Sequence, residues 1–412
     1  MTVEVTTLAN GLRVASDTME DAESTVIGAW VGVGTRHEPW NANGVAHLTE
    51  HMMFKGTKTR SAYALSAAIE KRGGSMNAHT TREETAYYAR VLPEQAGHAM
   101  EIIADMLQYS LFKPRELERE RHVIIQEIGR DFDTPEEHAF DLMHRLAFPR
   151  QRLGRPILGE AKIIAKMPHA AVTDYVRRHY HAGNMVIIGA GRIAHEERVD
   201  LARTYFGRLP RGKPAKAEKA RATGGELRIK RDIEQLHIVL GFPGPGFHGA
   251  AIYPVQLLGI LLGGTASSRL FQKVREKRGL VYHISAGHIP FHDTGIFEIY
   301  AGTDPARAGE LMPVVWAELK DVKRRVTPAE LACAKAQARA DLLMGRESVM
   351  RRADILGHQI LAFGHPIPAE RILRKLEAVT AQDVAQAATR LFARRPIFVT
   401  LGPGEKGRIT KK

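Results

Sequence analysis

His47-Leu48-Thr49-Glu50-His51 is the stretch on which the reading of this chain turns. Positions four apart on a helix share a face, so His47 and His51 would aim two imidazoles at one point. Two imidazoles on one face suit zinc. Glu50 follows His47 by three positions, which brings its carboxylate to the same region. A carboxylate beside a metal-bound water is the arrangement a hydrolase needs for a general base. Alone, the pentapeptide also fits a solvated helix face that happens to carry two histidines.

A second helix strengthens the first alternative. Residues 113–130 begin with Lys113-Pro114-Arg115-Glu116 and keep a helical period, and they carry Glu120 and Glu127 two turns apart on one face. A catalytic zinc of the two-His, one-Glu type needs one more carboxylate, and either glutamate can supply it. The segment from Val123 to Ile128 is mostly apolar, so Glu127 would be carried in near the core, where a carboxylate needs a partner. The competing reading is a charged solvent face. His122 falls off the face shared by the two glutamates and reads as surface.

Composition bounds the class. The chain has 412 residues, 44% hydrophobic and 25% charged, an ordinary globular balance with room for two to three domains. Cys333 is the single cysteine, which rules out an intrachain disulfide and a thiolate-rich zinc site and fits a reducing compartment. Met1-Thr2-Val3-Glu4-Val5 lacks a basic region followed by an apolar one, and no apolar run is long enough to span a bilayer. The expectation is a cytoplasmic protein without a membrane partner. The net charge of +13 raises nucleic acid as a partner, but the basic residues are spread along the chain and no nucleic-acid-binding motif accompanies them, so none is expected.

The remaining elements fall in order around the two helices. Residues 3–8 and 12–15 read as a hairpin around Asn10-Gly11. Residues 24–34 read as a buried central strand, 62–71 as a helix stopped by Gly73-Gly74, and 75–80 and 84–91 as paired strands. Residues 93–110 form an amphipathic helix, 163–180 one further helix, 185–189 a buried strand, and 194–205 another helix. Residues 209–225, rich in Lys, Ala, Pro and Gly, read as an interdomain linker. That divides the chain into domains 1–208 and 226–412.

The second half repeats the first. Glu70-Lys71-Arg72-Gly73 recurs as Glu276-Lys277-Arg278-Gly279, Pro114-Arg115-Glu116-Leu117 resembles Pro328-Ala329-Glu330-Leu331, and the strand into Gly189 matches the one from Ile397 to Gly402. The offsets, 206, 214 and 213, are nearly constant, the mark of a duplicated domain. The second copy has no H-x-x-E-H. It reads Leu257 to Leu262 and then Gly263-Gly264, which we take as a turn before the helix holding Arg269.

Together these residues resemble the pitrilysin/insulinase family of zinc peptidases, the inverzincins, and in particular its short bacterial members related to the β subunit of mitochondrial processing peptidase. The likeness rests on H-x-x-E-H followed by Glu120 and Glu127, on His51-Met52-Met53-Phe54-Lys55-Gly56-Thr57, on Met76-Asn77-Ala78-His79-Thr80-Thr81-Arg82-Glu83, and on Ser268-Arg269-Leu270-Phe271 running through Arg275-Glu276-Lys277-Arg278-Gly279-Leu280-Val281-Tyr282. It spans essentially the whole chain. It implies an α/β (α+β) fold of two homologous domains, each a mainly antiparallel sheet with helices packed on one side, enclosing a chamber. It implies one Zn2+ per chain on His47, His51 and Glu127, with Glu50 as catalytic base and Glu120 as a supporting carboxylate. Asn77 and Ala78 match the edge strand that binds substrate in extended form, and Arg278 and Tyr282 match a pair that closes over it. His79 would line the cleft or simply occupy the strand. The expected activity is hydrolysis of unstructured peptides or presequence-like segments by a homodimer, or as half of a heterodimer. The alternative is a non-catalytic scaffold or partner subunit, since the family includes members that lost activity.

Overall fold

The computed structural model describes residues 3–404, so the opening Met1-Thr2 of the N-terminal reading lies outside the described residues. Strands β1 (Val3–Thr7), β2 (Arg13–Thr18) and β3 (Thr25–Val31) lead into helices α1 (Val45–Met53) and α2 (Ala62–Glu70). Then come β4 (Ser75–Thr80), β5 (Thr85–Val91), α3 (Ala96–Tyr109), α4 (Pro114–Asp133) and α5 (Pro135–Ala147). The first half closes with α6 (Ala161–Ile164), α7 (His169–His179), β6 (Met185–Gly191) and α8 (His195–Phe206). The second half runs β7 (Gly225–Lys230), β8 (Leu236–Gly244), α9 (Ile252–Gly259), β9 (Val281–Pro290), β10 (Gly295–Thr303), α10 (Ala308–Asp321) and α11 (Pro328–Gly345). It ends with α12 (Val349–Phe363), α13 (Ala369–Glu377), α14 (Ala381–Phe392) and β11 (Ile397–Gly402).

The duplication is visible in the sheets. The first has the order β1-β2-β6-β3-β5-β4 and the second β7-β11-β8-β10-β9. Remove β1 and the two orders correspond strand for strand. The single parallel pair recurs in place, β2 with β6 and β7 with β11, and the other pairs are antiparallel.

The chain divides into two compact units, and each includes a segment from the other half of the sequence. Unit one comprises residues 1–130, 155–218 and 344–367; unit two comprises 131–154, 219–343 and 368–412. The sequence-drawn halves are continuous; the compact units exchange one helix each. In unit one α12 packs on β6, β3 and β2, and in unit two α5 packs on the equivalent β11, β8 and β7.

Strand alternation explains why both faces can be covered. In β3, Ile27, Ala29 and Val31 enter the large core with α1 and α3, while Val26 and Trp30 point to the other face. There they meet Val349, Ala353, Leu356 and Ile360 of α12. β3 is buried on both faces, which is why it reads as a continuous apolar run. Each sheet therefore carries a single helix on the face opposite its main helical layer.

Two local readings are corrected. Residues 163–180 are not one helix: Pro168 is the N-cap of α7, because a proline lacks the amide hydrogen and disfavours helix just before it. Gly263-Gly264 is not a turn but the end of a wide, π-type helical stretch, residues Ile260–Gly264, that continues α9. This stretch stands where the first half has its histidines, and it lies so close to β9 that a Cβ on Gly263 would sit 2.4 Å from the Ala286 nitrogen.

Candidate metal centre and active site

The site begins with how α1 starts. Gly44 caps it at φ 90°, a left-handed conformation that glycine adopts without penalty, and a Cβ there would come within 2.6 Å of Ile164. Glu38, fully buried, then holds the first turn. Its carboxylate accepts from the Gly44 and Ala46 amides, each at 2.9 Å, and from the Asn43 side chain at 2.8 Å. Burial pushes the Glu38 carboxyl up to about 7 against the pull of those three hydrogen bonds and of Arg155. The sequence offered no sign of this cap, because Glu38 lies outside the usual capping-box spacing.

Helix α4 supplies the opposing wall. Leu117, Glu120 and Ile124 are its buried residues, at helical spacing, so Glu120 sits within an apolar stripe. Glu127 lies two turns on and is half-exposed. His47, His51 and Glu127 converge, each offering a ligand atom within 4.8 Å of the others. Glu127 Oε2 lies 3.6 Å from His51 Nε2 and 3.9 Å from His47 Nε2. Of the two glutamates left open by spacing, Glu127 joins the histidines and Glu120 stands behind them. Glu120 Oε2 lies 3.0 Å from His51 Nδ1, and Glu120 Oε1 lies 2.8 Å from Lys55 Nζ. A proton on His51 Nδ1 donated to Glu120 leaves the Nε2 lone pair facing Glu127.

The donor set fits zinc. Tetrahedral zinc with nitrogen and oxygen ligands places neighbouring ligand atoms about 3.3 Å apart, and the two separations from Glu127 to the histidines, 3.6 and 3.9 Å, are close to that. Burial, reinforced by neighbouring His51, pushes the His47 imidazole down to about 3, so it stays in the neutral form a metal needs. His51 moves the other way: burial opposes its charge, but the Glu120 hydrogen bond and the charges of Glu127, Glu50 and Glu120 together raise it. Glu120 itself is held low, with burial outweighed by its bonds to His51 and Lys55.

Glu50 lies beside this set and is mostly buried. Burial raises its carboxyl, while a 2.5 Å hydrogen bond from Thr80 Oγ1 and the charges of His51 and His79 work against the rise. A carboxyl moved toward neutrality is suited to accepting and releasing a proton. Thr80 had no assigned role in the sequence. The signal was its parity: in β4 it alternates with Met76 and Ala78, which pack toward the main core, whereas Asn77 and His79 project to the opposite face.

Among the described residues β4 is an edge strand, paired only with β5 through Ala78 to Tyr87 and His79 to Ala86. The Ala78 amide is bonded by Asn77 Oδ1 at 2.9 Å. His79 approaches the Tyr88 ring at 6.1 Å, on the face away from Thr80. His122 is solvent-facing, and Met52 and Met53 are core residues, as read. Arg278 and Tyr282 belong to unit two, so they are not among the residues gathered by α1, α4 and β4. Arg278 is exposed and bonds the Lys273 carbonyl at 2.8 Å; Tyr282, 79% exposed on β9, lies under the Arg275 guanidinium.

A duplicated α/β fold with an inverted two-histidine motif on one helix and glutamates on another defines a metallopeptidase-type protein. Comparison makes this specific. The family described as insulinase (peptidase family M16) matches residues 13–161, and the peptidase M16 inactive domain matches residues 166–338. An uncharacterized zinc protease of Rickettsia felis is 35% identical, over 97% of this chain and 98% of the relative. A protease from Helicobacter pylori shares the fold with a TM-score of 0.91 at 21% identity, over 98% of this chain and all of that one. A peptidase M16 inactive domain from Pseudomonas fluorescens does so with a TM-score of 0.91 at 22% identity over the full length of both. The chain belongs to the insulinase (M16) peptidase family.

Proposed function

We propose that this protein is a zinc endopeptidase that cleaves unstructured peptides, presequence-like segments among them. The observation that carries the reading is the convergence of His47, His51 and Glu127 beside the buried carboxylate of Glu50. Those three residues would hold zinc, which when bound supplies a Lewis acid for the scissile carbonyl and acidifies a water. Glu50 takes the proton from the attacking water and returns it to the leaving amine. Thr80 orients Glu50, and Glu120 keeps His51 in the required tautomer.

The free edge of β4 accepts substrate as an added strand, so the Asn77 side chain gives up the Ala78 amide to the incoming backbone. Such main-chain bonding tolerates many sequences but requires an unfolded segment. His79 adds an imidazole near the strand, and Arg278 and Tyr282 carry the guanidinium and phenol donors assigned to the substrate's carbonyls. A homodimer, with a heterodimer as the other arrangement, accompanies this reading, and a single cysteine suits a reducing cytoplasm.

The test is mass spectrometry of a mixed pool of unstructured peptides, some rich in basic residues, incubated with the zinc-loaded protein or with Glu50→Gln. Cleavage by the wild type and its loss by roughly 10²-fold or more in the variant, with one zinc retained by both, is the expected result. If neither protein cuts and neither binds zinc, the peptidase reading fails and a non-catalytic scaffold takes its place.

A further inference from the structure

Unit two holds a groove of about 530 Å³ that has no part in the metal chemistry. One wall is the loop after α10, with Lys323, Arg324, Arg325 and Val326. The other is one face of α14, lined by Ala381, Gln382, Ala385, Gln386, Thr389 and Arg390. Four cations line it and no carboxylate does. Among the described residues, none of these four side chains is in an ion pair or a hydrogen bond. Lys323 is braced over the Phe392 ring at 5.9 Å, which costs it no charge. The nearest acids in sequence are already used: Asp321 pairs with Arg269, and Asp383 closes the capping box of α14 with Thr380.

Unneutralised cations usually spread apart. Here they share a concave surface, and the concavity has a shape. The α14 residues lie along one stripe from the first residue of the helix into its last turn, about 14 Å at the helical rise. That length matches about four residues of extended chain. Val326, Ala381 and Ala385 provide an apolar floor, and the Gln382 and Gln386 amides, one turn apart, are available to a peptide backbone. A compact phosphate would use only one end of such a groove. A single-stranded nucleic acid would want aromatic rings to stack on, and none lines it.

We infer that this groove is a docking site for an extended acidic polypeptide segment of a partner protein, with carboxylates on the cationic rim and a small apolar side chain on the floor. Charge complementarity makes the association fast and salt-sensitive. The site lies apart in sequence from the residues of the peptidase reading, and its test does not need cleavage.

The experiment is fluorescence anisotropy of a labelled probe of about eight residues, aspartate and glutamate alternating with leucine. It is titrated with full-length Glu50→Gln protein so that the probe survives. Binding is expected at low salt and should weaken at least tenfold by about 0.5 M salt. Arg324→Glu combined with Arg390→Glu should weaken it at least tenfold, while Arg324→Lys with Arg390→Lys should retain it. Both positions are exposed, and thermal melts of each variant check folding. Binding unchanged by charge reversal, or binding of a single-stranded oligonucleotide or of tripolyphosphate in preference to the peptide, would overturn the inference.

Discussion

Lys55, Glu120 and His51 form a chain of charge-assisted bonds that ends at the cluster of His47, His51 and Glu127. Each link constrains the next: the ammonium fixes one oxygen of Glu120, which leaves the other aimed at His51 Nδ1. Replacing Glu120 with glutamine removes the charge and lets a donor amide face the ring. Glu120→Gln should therefore lower zinc affinity by roughly 10–100-fold, measured by competition with a chromophoric chelator. Lys55→Met should produce a smaller loss and Lys55→Arg should restore most of it. Periodicity alone exposed Glu120 and Glu127 as a pair on one face of α4, but it did not rank them. The family resemblance supplied the ranking; the register of α4 against α1, a tertiary fact, brings Glu127 to both histidines and leaves Glu120 on the far nitrogen of His51. Lys55 and Thr80 were hidden for the same reason, since each acts on a residue brought near by the fold, whereas Glu38 was hidden because its cap spans an unusual local spacing.

At the scale of elements, α11 shows how a helix start is locked. Thr327 Oγ1 accepts from the Glu330 amide at 3.2 Å, and Glu330 Oε2 accepts from the Thr327 amide at 2.9 Å, a reciprocal cap. Arg269 then grips the same carboxylate through Nε at 2.7 Å and Nη2 at 2.9 Å. Burial opposes the charge of Glu330, but the Arg269 and Thr327 bonds hold its carboxyl down to about 2. A depressed carboxyl stabilises the fold above its unfolded value, near 4.5, and the contribution is lost as pH falls from there toward 2. Because this side chain is about one-third exposed, solvent screening reduces the worth of the shift to about 1–2 kcal/mol. Thermal melts should show Glu330→Gln less stable than wild type by about that amount at pH 7, with the gap closing as the pH falls toward 2. The Pro-x-Glu pattern after Thr327 is visible in sequence, whereas Arg269, more than one helix away, is not.

The whole molecule is organised by an exchange. Helix α4 takes the chain from unit one into unit two, where α5 covers the second sheet, and α11 takes it back so that α12 covers the first. Duplication was legible from repeated tetrapeptides at near-constant offset, and the two sheet orders agree with it. The exchange was not, because an amphipathic helix records that one face is apolar and not which sheet will bury it. The bond that commits α12 to the first sheet is a buried pair: Arg352 grips Asp17 of β2 through Nε and Nη2 at 2.6 and 2.5 Å, both side chains nearly inaccessible. Removing one partner strands the other charge, so Arg352→Ala should cost about 3–5 kcal/mol in denaturant unfolding. The larger consequence concerns the halves themselves. A fragment of residues 1–220 would keep the H-x-x-E-H helix and Glu127, yet it would expose Val26, Trp30, Val186 and Ile188, which α12 normally covers. Each such side chain left in water forfeits about 1.5–3 kcal/mol. The fragment should therefore bind a hydrophobic dye and aggregate. Adding a peptide of residues 344–367 in trans should reduce both effects, the remainder coming from the uncovered apolar face of α5, and the same peptide carrying Arg352→Ala should not reduce them. Dye fluorescence with light scattering reads the outcome, and a soluble, dye-silent fragment without the peptide would show that the exchanged helix is dispensable to the first sheet.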